Sequence, residues 1–362
     1  MALRIAMFHS TLPETGRKVG GVEVFVHRLA NRLVDRGHEV TMVTFGTRPA
    51  DARYGLVSAG PAWCAATRAA RLSLGPIALN RLCLGDCQVL HLHGDDWFML
   101  RRTLATVRTF YGSALFEART ATSHRRQLVQ AAVYPLEVIA SRLATLSYDI
   151  GSELPRGYRI NGSLALAVGD SRPPCVNART RHPTVLFVGT WEGRKRGAFL
   201  ADCFAREVLP RHPDATLLMV SDRCVEQPGI EWARFPSDEE LVVLYESAWL
   251  FCSASTYEGF GMPYLEAMTH GLPVVATPNR GAEMVLRGGA GALVSDAELG
   301  RTLAALLDDT DERSRLAAAG SARAKRFSWA RVLSEHEAAY EQAMGLFAAG
   351  ERDAGADRSP VG

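Results

Sequence analysis

Two doubly wound α/β domains are the fold this sequence predicts, and three observations predict it. The chain has 362 residues, more than one core of ordinary size holds. Short apolar runs of strand length alternate with segments of helical periodicity along most of it. The opening pattern is β–loop–α–β with a glycine pair at the helix start. After a Pro-containing stretch at 171–181, a second series of the same kind begins.

Taken in order, residues 3–8 read as a buried first strand, followed by a loop with Pro13, Gly16, Gly20 and Gly21. Val22, Phe25, Val26, Leu29, Ala30 and Leu33 recur at helical spacing, and Gly37 is placed to stop that helix. Residues 40–45, 89–93 and 107–111 read as further strands, 64–74, 96–106 and 123–146 as helices, and 160–162 as a turn. The stretch 171–181 is the linker. Beyond it come strand 184–188, loop 189–197, helix 198–208, strand 216–220, helix 238–247 and strand 249–253. Helix 263–270 stops at Gly271, strand 273–276 follows, and helices near 296–308, 311–326 and 329–346 complete the fold. From 348 to 362 the composition is that of a flexible tail. The predicted domains are 1–170 and 171–330. Ligands of such sheets bind at the carboxyl ends of the strands, and each motif below falls at one.

Apolar content of 47% and charged content of 22% are those of a soluble globular protein. A net charge of +2 gives no global electrostatic case for nucleic acid. The charge is uneven, however. Residues 1–168 carry 20 basic against 12 acidic side chains, and the remainder 21 against 27. A basic first half suits an anionic ligand or an anionic membrane surface, while a scattered Arg-rich surface is the plainer reading. Seven cysteines without a Cys-x-x-Cys pair indicate neither a disulfide framework nor a zinc site. The first residues are too soon polar for a signal peptide, and no run of ~18 apolar residues predicts a membrane span. A cytoplasmic protein, monomer or homodimer, is expected.

The chemistry-bearing motifs begin with residues 257–268, Tyr-Glu-Gly-Phe-Gly-Met-Pro-Tyr-Leu-Glu-Ala-Met, followed by Gly271-Leu272-Pro273. Pro263 suits the first position of a helix. Gly259 and Gly261 let backbone approach a ligand, and free amides at a helix start suit phosphate. Glu258 precedes the helix and Glu266 lies about one turn inside it. As hydrogen-bond acceptors, the two carboxylates suit the hydroxyls of a sugar and a ribose. Two solvated acids at a helix start are the plainer reading of that spacing alone. A second motif, residues 189–197, places Arg194, Lys195 and Arg196 after a strand end at Gly189, where cations suit a diphosphate. A third is Gly20-Gly21. A fourth groups His91, His93, Asp95 and Asp96 at one strand end, but no third and fourth metal ligand is identifiable there.

The string from Glu258 to Met268 resembles the signature of the GT-B glycosyltransferases of family 4, Glu-x7-Glu in an E-G-F-G-x-P-x-x-E-A-M context. The resemblance extends over the chain, including Phe327-Ser328-Trp329 before the last helix. It implies two Rossmann-like domains facing a central cleft, acceptor-binding at 1–170 and nucleotide-sugar-binding at 171–330. A helix over 331–347 would cross back onto the first domain. It also implies that Glu258 contacts the transferred sugar and Glu266 the ribose. The amides of Phe260, Gly261 and Met262, with Gly259, would hold the diphosphate and sugar, and Gly20-Gly21 would lie against the phosphate. The family has Gly-Arg and then Lys-Gly in the second motif. Here Thr190 stands in place of the Arg, and Arg196, with Lys195 one earlier, in place of the Lys. Tyr111 stands in place of the family's His beside the reacting sugar, and Ser163-Leu164 follows Asn161-Gly162 in place of an acidic residue.

The implied reaction is transfer of a sugar from a UDP- or GDP-sugar with retention, catalysed by Glu258, Lys195 and Arg196. It needs no metal and no cofactor beyond the nucleotide-sugar co-substrate. His93, Asp95 and Tyr111 are the acceptor-side candidates. The expected acceptor is a small molecule, as in bacterial natural-product or antibiotic biosynthesis, with a cell-surface polysaccharide or glycolipid as alternative. The basic, leucine-interleaved stretch from Arg68 to Arg81 keeps membrane contact open. The rival readings are a sugar-nucleotide 2-epimerase and a non-catalytic sugar-nucleotide-binding protein. A nicotinamide dehydrogenase lacks its Gly-x-Gly-x-x-Gly after the first strand.

Overall fold

The computed structural model describes residues 2–14, 20–61, 63, 77–100, 102–121, 123–151, 154–169, 179–223, 225–234 and 236–356. The expected helix over 64–74, most of the basic stretch from Arg68 to Arg81, Gly16 and most of the linker lie outside them. The chain forms two compact units, one of Met1–Ala118, Gln127–Leu166 and Ala330–Gly362, the other of Arg119–Arg126 and Ala167–Trp329.

The first unit is built on a parallel sheet of β1 (Arg4–Phe8), β2 (Glu39–Thr44), β3 (Gly55–Ser58), β4 (Val89–Leu92), β5 (Ala105–Phe110), β6 (Leu146–Asp149) and β7 (Gly162–Ser163). Its order, β3-β2-β1-β4-β5-β6-β7, reverses direction between β1 and β4. Strands β1, β4 and β5 are almost wholly buried and read as near-continuous apolar runs, as a sheet covered on both faces requires. Helix α1 (Gly21–Asp35) buries Phe25, Val26, Leu29, Ala30 and Leu33. It stops at Gly37, whose φ of 90° is left-handed. There His38 donates to the Leu33 carbonyl at 3.1 Å and Gly37 to that of Val34 at 2.9 Å, the paired bonds of a Schellman motif. Helices α2 (Ala114–Thr120) and α3 (His124–Leu143) follow β5.

The second unit repeats the plan. Strands β8 (Thr184–Val188), β9 (Thr216–Val220), β10 (Ile230–Ala233), β11 (Leu250–Ser253), β12 (Val274–Ala276) and β13 (Ala292–Leu293) are ordered β10-β9-β8-β11-β12-β13, all parallel. Helices α4 (Gly197–Cys203, continued by a π turn at Phe204–Val208), α5 (Asp238–Ser247), α6 (Met262–Thr269) and α7 (Arg280–Val285) connect them. Then come α8 (Leu299–Asp308) and α9 (Thr310–Ala324). Phe187, Leu200, Phe204, Leu217, Met219, Leu250 and Leu303 form the core. Helix α10 (Trp329–Ala356) closes the chain.

Three expectations are corrected. Among the described residues of 96–106 no helix forms. Trp97 and Met99 are buried while Leu100 is 66% exposed, and the chain enters β5 at Ala105. The cause is Asp96, whose buried carboxylate accepts from Arg108 Nε at 2.7 Å and Arg102 Nη2 at 3.2 Å. No turn forms at 160–162: Gly162 begins the edge strand β7, and just before it Asn161 Oδ1 accepts from the Ser147 amide at 2.9 Å, so a side chain extends the ladder. The last helix does not end near 346 but runs to Ala356.

Candidate active site

In the second unit the strand order reverses between β8 and β11, so the loops leaving these two neighbouring strands meet at a topological switch point. The first loop starts at Gly189. A Cβ there would lie 2.6 Å from the Phe187 ring and 3.1 Å from Lys195 Cβ, so no larger residue fits without displacing them. A 3₁₀ turn over Gly193–Lys195 follows, and Arg196 adopts left-handed φ and ψ of 53° and 43°. That conformation is strained for a residue with a Cβ, and contacts hold it. Arg196 donates to the Ala254 carbonyl at 2.6 Å and forks onto Asp296 at 2.6 and 2.7 Å, its guanidinium lying over the Phe199 ring.

Lys195 and Arg194 point elsewhere. Lys195 Nζ lies 2.5 Å from Glu258 Oε1, and Arg194 Nη1 lies 3.0 Å from Oε2. Arg194 also donates to the Tyr257 carbonyl at 2.7 Å. Glu258, in the loop after β11, is only 5% exposed. Burial pushes its carboxyl up, but the opposing attraction of Lys195 and Arg194 prevails and holds it below the ordinary carboxylate range. Of the three expected cations, two therefore converge on Glu258 and the third braces the loop.

The Glu258 loop ends at Gly261, whose φ of 96° is left-handed and which begins α6, with Pro263 in its first turn. Among the described residues, the amides of Phe260, Gly261 and Met262 find no partner, and they sit at the positive end of the helix dipole. Phe260 is buried edge-on against Phe327 at 5.5 Å, so the late Phe-Ser-Trp motif supports this loop. Glu266 lies one turn into α6, where its Oε2 accepts from the buried Tyr245 hydroxyl at 2.8 Å. Burial and Glu266 together push the Tyr245 phenol well up, so it stays a donor.

Several residues of this site escaped sequence reasoning. A Cβ on Gly281, in α7, would lie 2.7 Å from Glu258 Cβ and 2.8 Å from the Phe260 carbonyl oxygen. Asn279 caps α7 by accepting from Ala282 at 3.0 Å, and its amide donates to the Ser255 carbonyl and the Tyr264 hydroxyl. Asp296 and Tyr245 fix Arg196 and Glu266. Asn-x-Gly ahead of a helix is a capping pattern and was the one available signal.

In the first unit the switch point lies between β1 and β4. His91, in β4, and His93, just past its end, lie with ring centroids 3.8 Å apart and planes tilted by 39°. His91 is enclosed, bonded to the Tyr340 and Thr109 hydroxyls at 2.8 and 2.9 Å. His93 Nδ1 shares a hydrogen bond with the Tyr111 hydroxyl at 2.6 Å, while its Nε2 is buried with no partner among the described residues. The structure thus brings His93 and Tyr111 together. Asp95, left-handed at φ 55°, accepts from Ser10 Oγ at 2.6 Å at the end of β1. Asp96 belongs to the buried pair with Arg108. Gly20 precedes α1, and its amide donates to Glu23 Oε2 at 2.8 Å, while Gly21 is the first residue of the helix and exposed. Among the described residues, no three His, Cys, Asp or Glu gather to hold a metal.

Comparison with known proteins agrees with this geometry. Residues 19–162 match the family described as Glycosyltransferase Family 4, and residues 182–309 match Glycosyl transferases group 1. The chain is 34% identical over 281 residues to the O-antigen chain mannosyltransferase B of Escherichia coli, covering 69% of this chain and 73% of that protein. It is 29% identical over 362 residues to the phosphatidyl-myo-inositol mannosyltransferase of Mycobacterium tuberculosis, covering 90% and 94%. Among solved structures, the sucrose-phosphate synthase of Thermosynechococcus elongatus superposes with a TM-score of 0.74 at 19% identity, over 96% of this chain and all of that one. The names of these relatives point to glycolipid and polysaccharide acceptors, and the expected natural-product role is withdrawn. A switch-point loop carrying Glu-x7-Glu, two family matches and a GT-B neighbour converge: the chain is a glycosyltransferase and belongs to family 4 of the GT-B fold.

Proposed function

We propose that this enzyme transfers a hexosyl group, with mannose the first candidate, from a nucleoside diphosphate sugar to a glycolipid or cell-surface polysaccharide acceptor, with retention of configuration. The observation that carries the donor half is the convergence of Lys195 and Arg194 on Glu258 beside the N-terminus of α6. A diphosphate entering here meets unpaired amides and two cations, and Glu258 is left to hydrogen-bond the sugar. The Asp296 fork on Arg196 supports Lys195, rather than Arg196, as the diphosphate cation. Glu266, oriented by Tyr245, takes the ribose. Gly20 and Gly21 are the first unit's candidates for the donor phosphate, with the Gly20 amide on Glu23 Oε2. No carboxylate is placed as a covalent nucleophile. The bond from the anomeric carbon to the diphosphate breaks, the acceptor oxygen bonds to that carbon from the same face, and the departing diphosphate takes the acceptor proton while Lys195 and Arg194 stabilise its charge. His93, Asp95 and Tyr111 receive the acceptor hydroxyl. No metal takes part in this scheme, and the reaction takes place on the cytoplasmic side.

The acceptor half rests on the mannosyltransferase relatives, which align over most of their own lengths. A thermal-shift screen of GDP, UDP and their sugars identifies the base, since a ligand at ~100 times its dissociation constant adds ~2.7 kcal/mol. The preferred donor, carrying a radiolabelled sugar, is then offered to phosphatidylinositol vesicles, a lipid-linked saccharide and free inositol phosphate. Label entering the organic phase supports the reading. Transfer to the water-soluble acceptor alone refutes its glycolipid half, and an inverted anomer in the product refutes retention.

A further inference from the structure

His93 and Tyr111 stand just past the ends of β4 and β5, and the His93 amide donates to the Phe8 carbonyl at the end of β1. These three strand ends adjoin the switch point of the first sheet, where doubly wound sheets bind their ligands. Backbone strain marks the same spot. Gly94 and Asp95 follow His93 and are both left-handed, at φ 112° and 55°. That conformation is costly for Asp95, and the bond from Ser10 Oγ helps to hold it. His91 offers His93 no hydrogen bond, because the Tyr340 and Thr109 hydroxyls already engage both of its ring nitrogens.

The direction of the bond between His93 and Tyr111 follows from the partners each group has. Burial pushes the His93 imidazole well down, and His91, His9, His336 and Arg108 push it the same way, so the ring is neutral and carries one proton. Burial and Tyr340 push the Tyr111 phenol well up, so it keeps its own. Nδ1 and the phenol oxygen, 2.6 Å apart, share one hydrogen bond, and neither His93 Nε2 nor the phenol has another hydrogen-bond partner among the described residues. With the ring proton on Nδ1, the phenol proton and the Nε2 lone pair would both go without a partner. With the phenol donating to Nδ1, only the Nε2–H does. Each unpaired polar group in a buried setting costs free energy, so the arrangement with one prevails over the arrangement with two. The ring then presents a donor at Nε2 and has no lone pair left to take up a proton.

We propose that Tyr111 fixes His93 with its proton on Nε2, and that this N–H donates to the oxygen of the acceptor hydroxyl that receives the sugar. The proposal deepens the acceptor assignment made above and rests on it. His93 gains and loses no proton during transfer. It holds the hydroxyl oxygen, which bonds to the anomeric carbon while its own proton goes to the departing diphosphate. Tyr111, which stands in place of the family's histidine, is a positioning residue that acts through His93. The test begins with the free enzyme, isotopically labelled on its histidine ring nitrogens. A proton–nitrogen correlation spectrum at neutral pH, with His93 identified by its loss in His93→Gln, is expected to show a bare Nδ1 and a protonated Nε2. In Tyr111→Phe the Nδ1 signal is expected to shift toward that of a protonated nitrogen. Kinetics follow with phosphatidylinositol vesicles or the lipid-linked saccharide, whichever takes label. His93→Leu is expected to lower acceptor kcat/KM about tenfold or more, and His93→Gln, which has an N–H donor but no basic nitrogen, to recover most of that loss. The thermal shift with nucleoside diphosphate checks that each variant is folded. A wild-type proton on Nδ1, an unchanged His93 signal in Tyr111→Phe, or a loss in His93→Gln as deep as in His93→Leu overturns the proposal, and the last would mark His93 as a base. If His93→Leu does not fold, a tenfold loss in His93→Gln against the wild type is the overturning result. A wild type that transfers to neither acceptor sinks the functional reading instead, and the spectrum of the free enzyme still decides which nitrogen carries the proton.

Discussion

Glu258 keeps its charge in a nearly closed site because Lys195 and Arg194 face it from the neighbouring loop. Glu258→Ala and Lys195→Ala are each expected to lower turnover about 10²-fold, or about 3 kcal/mol, in a donor-consumption assay, with circular dichroism unchanged. Wild-type rates in both would refute the site. Arg196→Ala is expected to act differently. Its partner Asp296 is half exposed, so the fork is worth only about 1 kcal/mol and the loss is read as a lower thermal midpoint. Gly281→Ala drives a methyl into Glu258 and the Phe260 carbonyl, which costs about 1–3 kcal/mol, and calorimetric titration should show weaker nucleoside diphosphate binding. Glu258, Lys195 and Gly261 were legible because charge, glycine and proline fall within short strings. The division of labour within Arg194-Lys195-Arg196 was not, because the left-handed backbone that turns Arg196 away leaves no trace in residue spacing. Gly281 and Asn279 were not legible either, since only the fold carries them to Glu258.

At the scale of elements, two helices that lead into strands end alike. The Gly37 motif after α1 recurs at Gly271 after α6, where Leu272 donates to the Ala267 carbonyl at 2.9 Å and Gly271 to that of Met268 at 3.1 Å. Both stops were legible, because glycine at that position has one dominant physical use. The start of α6 is more exacting. At Gly261 a Cβ would meet the Tyr264 ring at 2.4 Å as well as an unfavourable φ of 96°. Gly261→Ala is expected to cost about 1–2 kcal/mol from the left-handed backbone alone and to weaken diphosphate binding by tilting the free amides. Unchanged affinity would mean that the amides do not hold the phosphate. The failure at 96–106 is equally instructive. Its apolar residues have helical spacing, but burying Asp96 with Arg108 and Arg102 fixes the chain in an irregular path. The short edge strands β7, β10 and β13 escaped because a few residues at a sheet edge carry little periodicity.

For the molecule as a whole, the doubled α/β plan was legible from alternation and the glycine pair. The polar filling of the first core was not. His91, His93 and His336 lie in it, with His336 and His91 rings 5.6 Å apart. Burial pushes all three imidazoles down, His336 to about 4. The unfolded chain takes up these protons below pH 6.5 and the folded chain does not, so the first unit is fully stable above 6.5 and loses stability as pH falls toward about 4. His336 alone accounts for about 3 kcal/mol over that interval. Urea unfolding followed between these values should show the decline, and His336→Phe should flatten it. A stability that holds level down to pH 4.5 would mean these histidines are not buried neutral. The bond from Tyr340 to His91 has a further consequence. It joins a strand made early in synthesis to a helix made only after the second unit. Until α10 has been made, a growing chain therefore carries the whole second unit beside a first unit still lacking that helix. Nascent chains cut short before α10 would leave the first unit without its last helix and offer chaperones and proteases a target that the finished enzyme conceals.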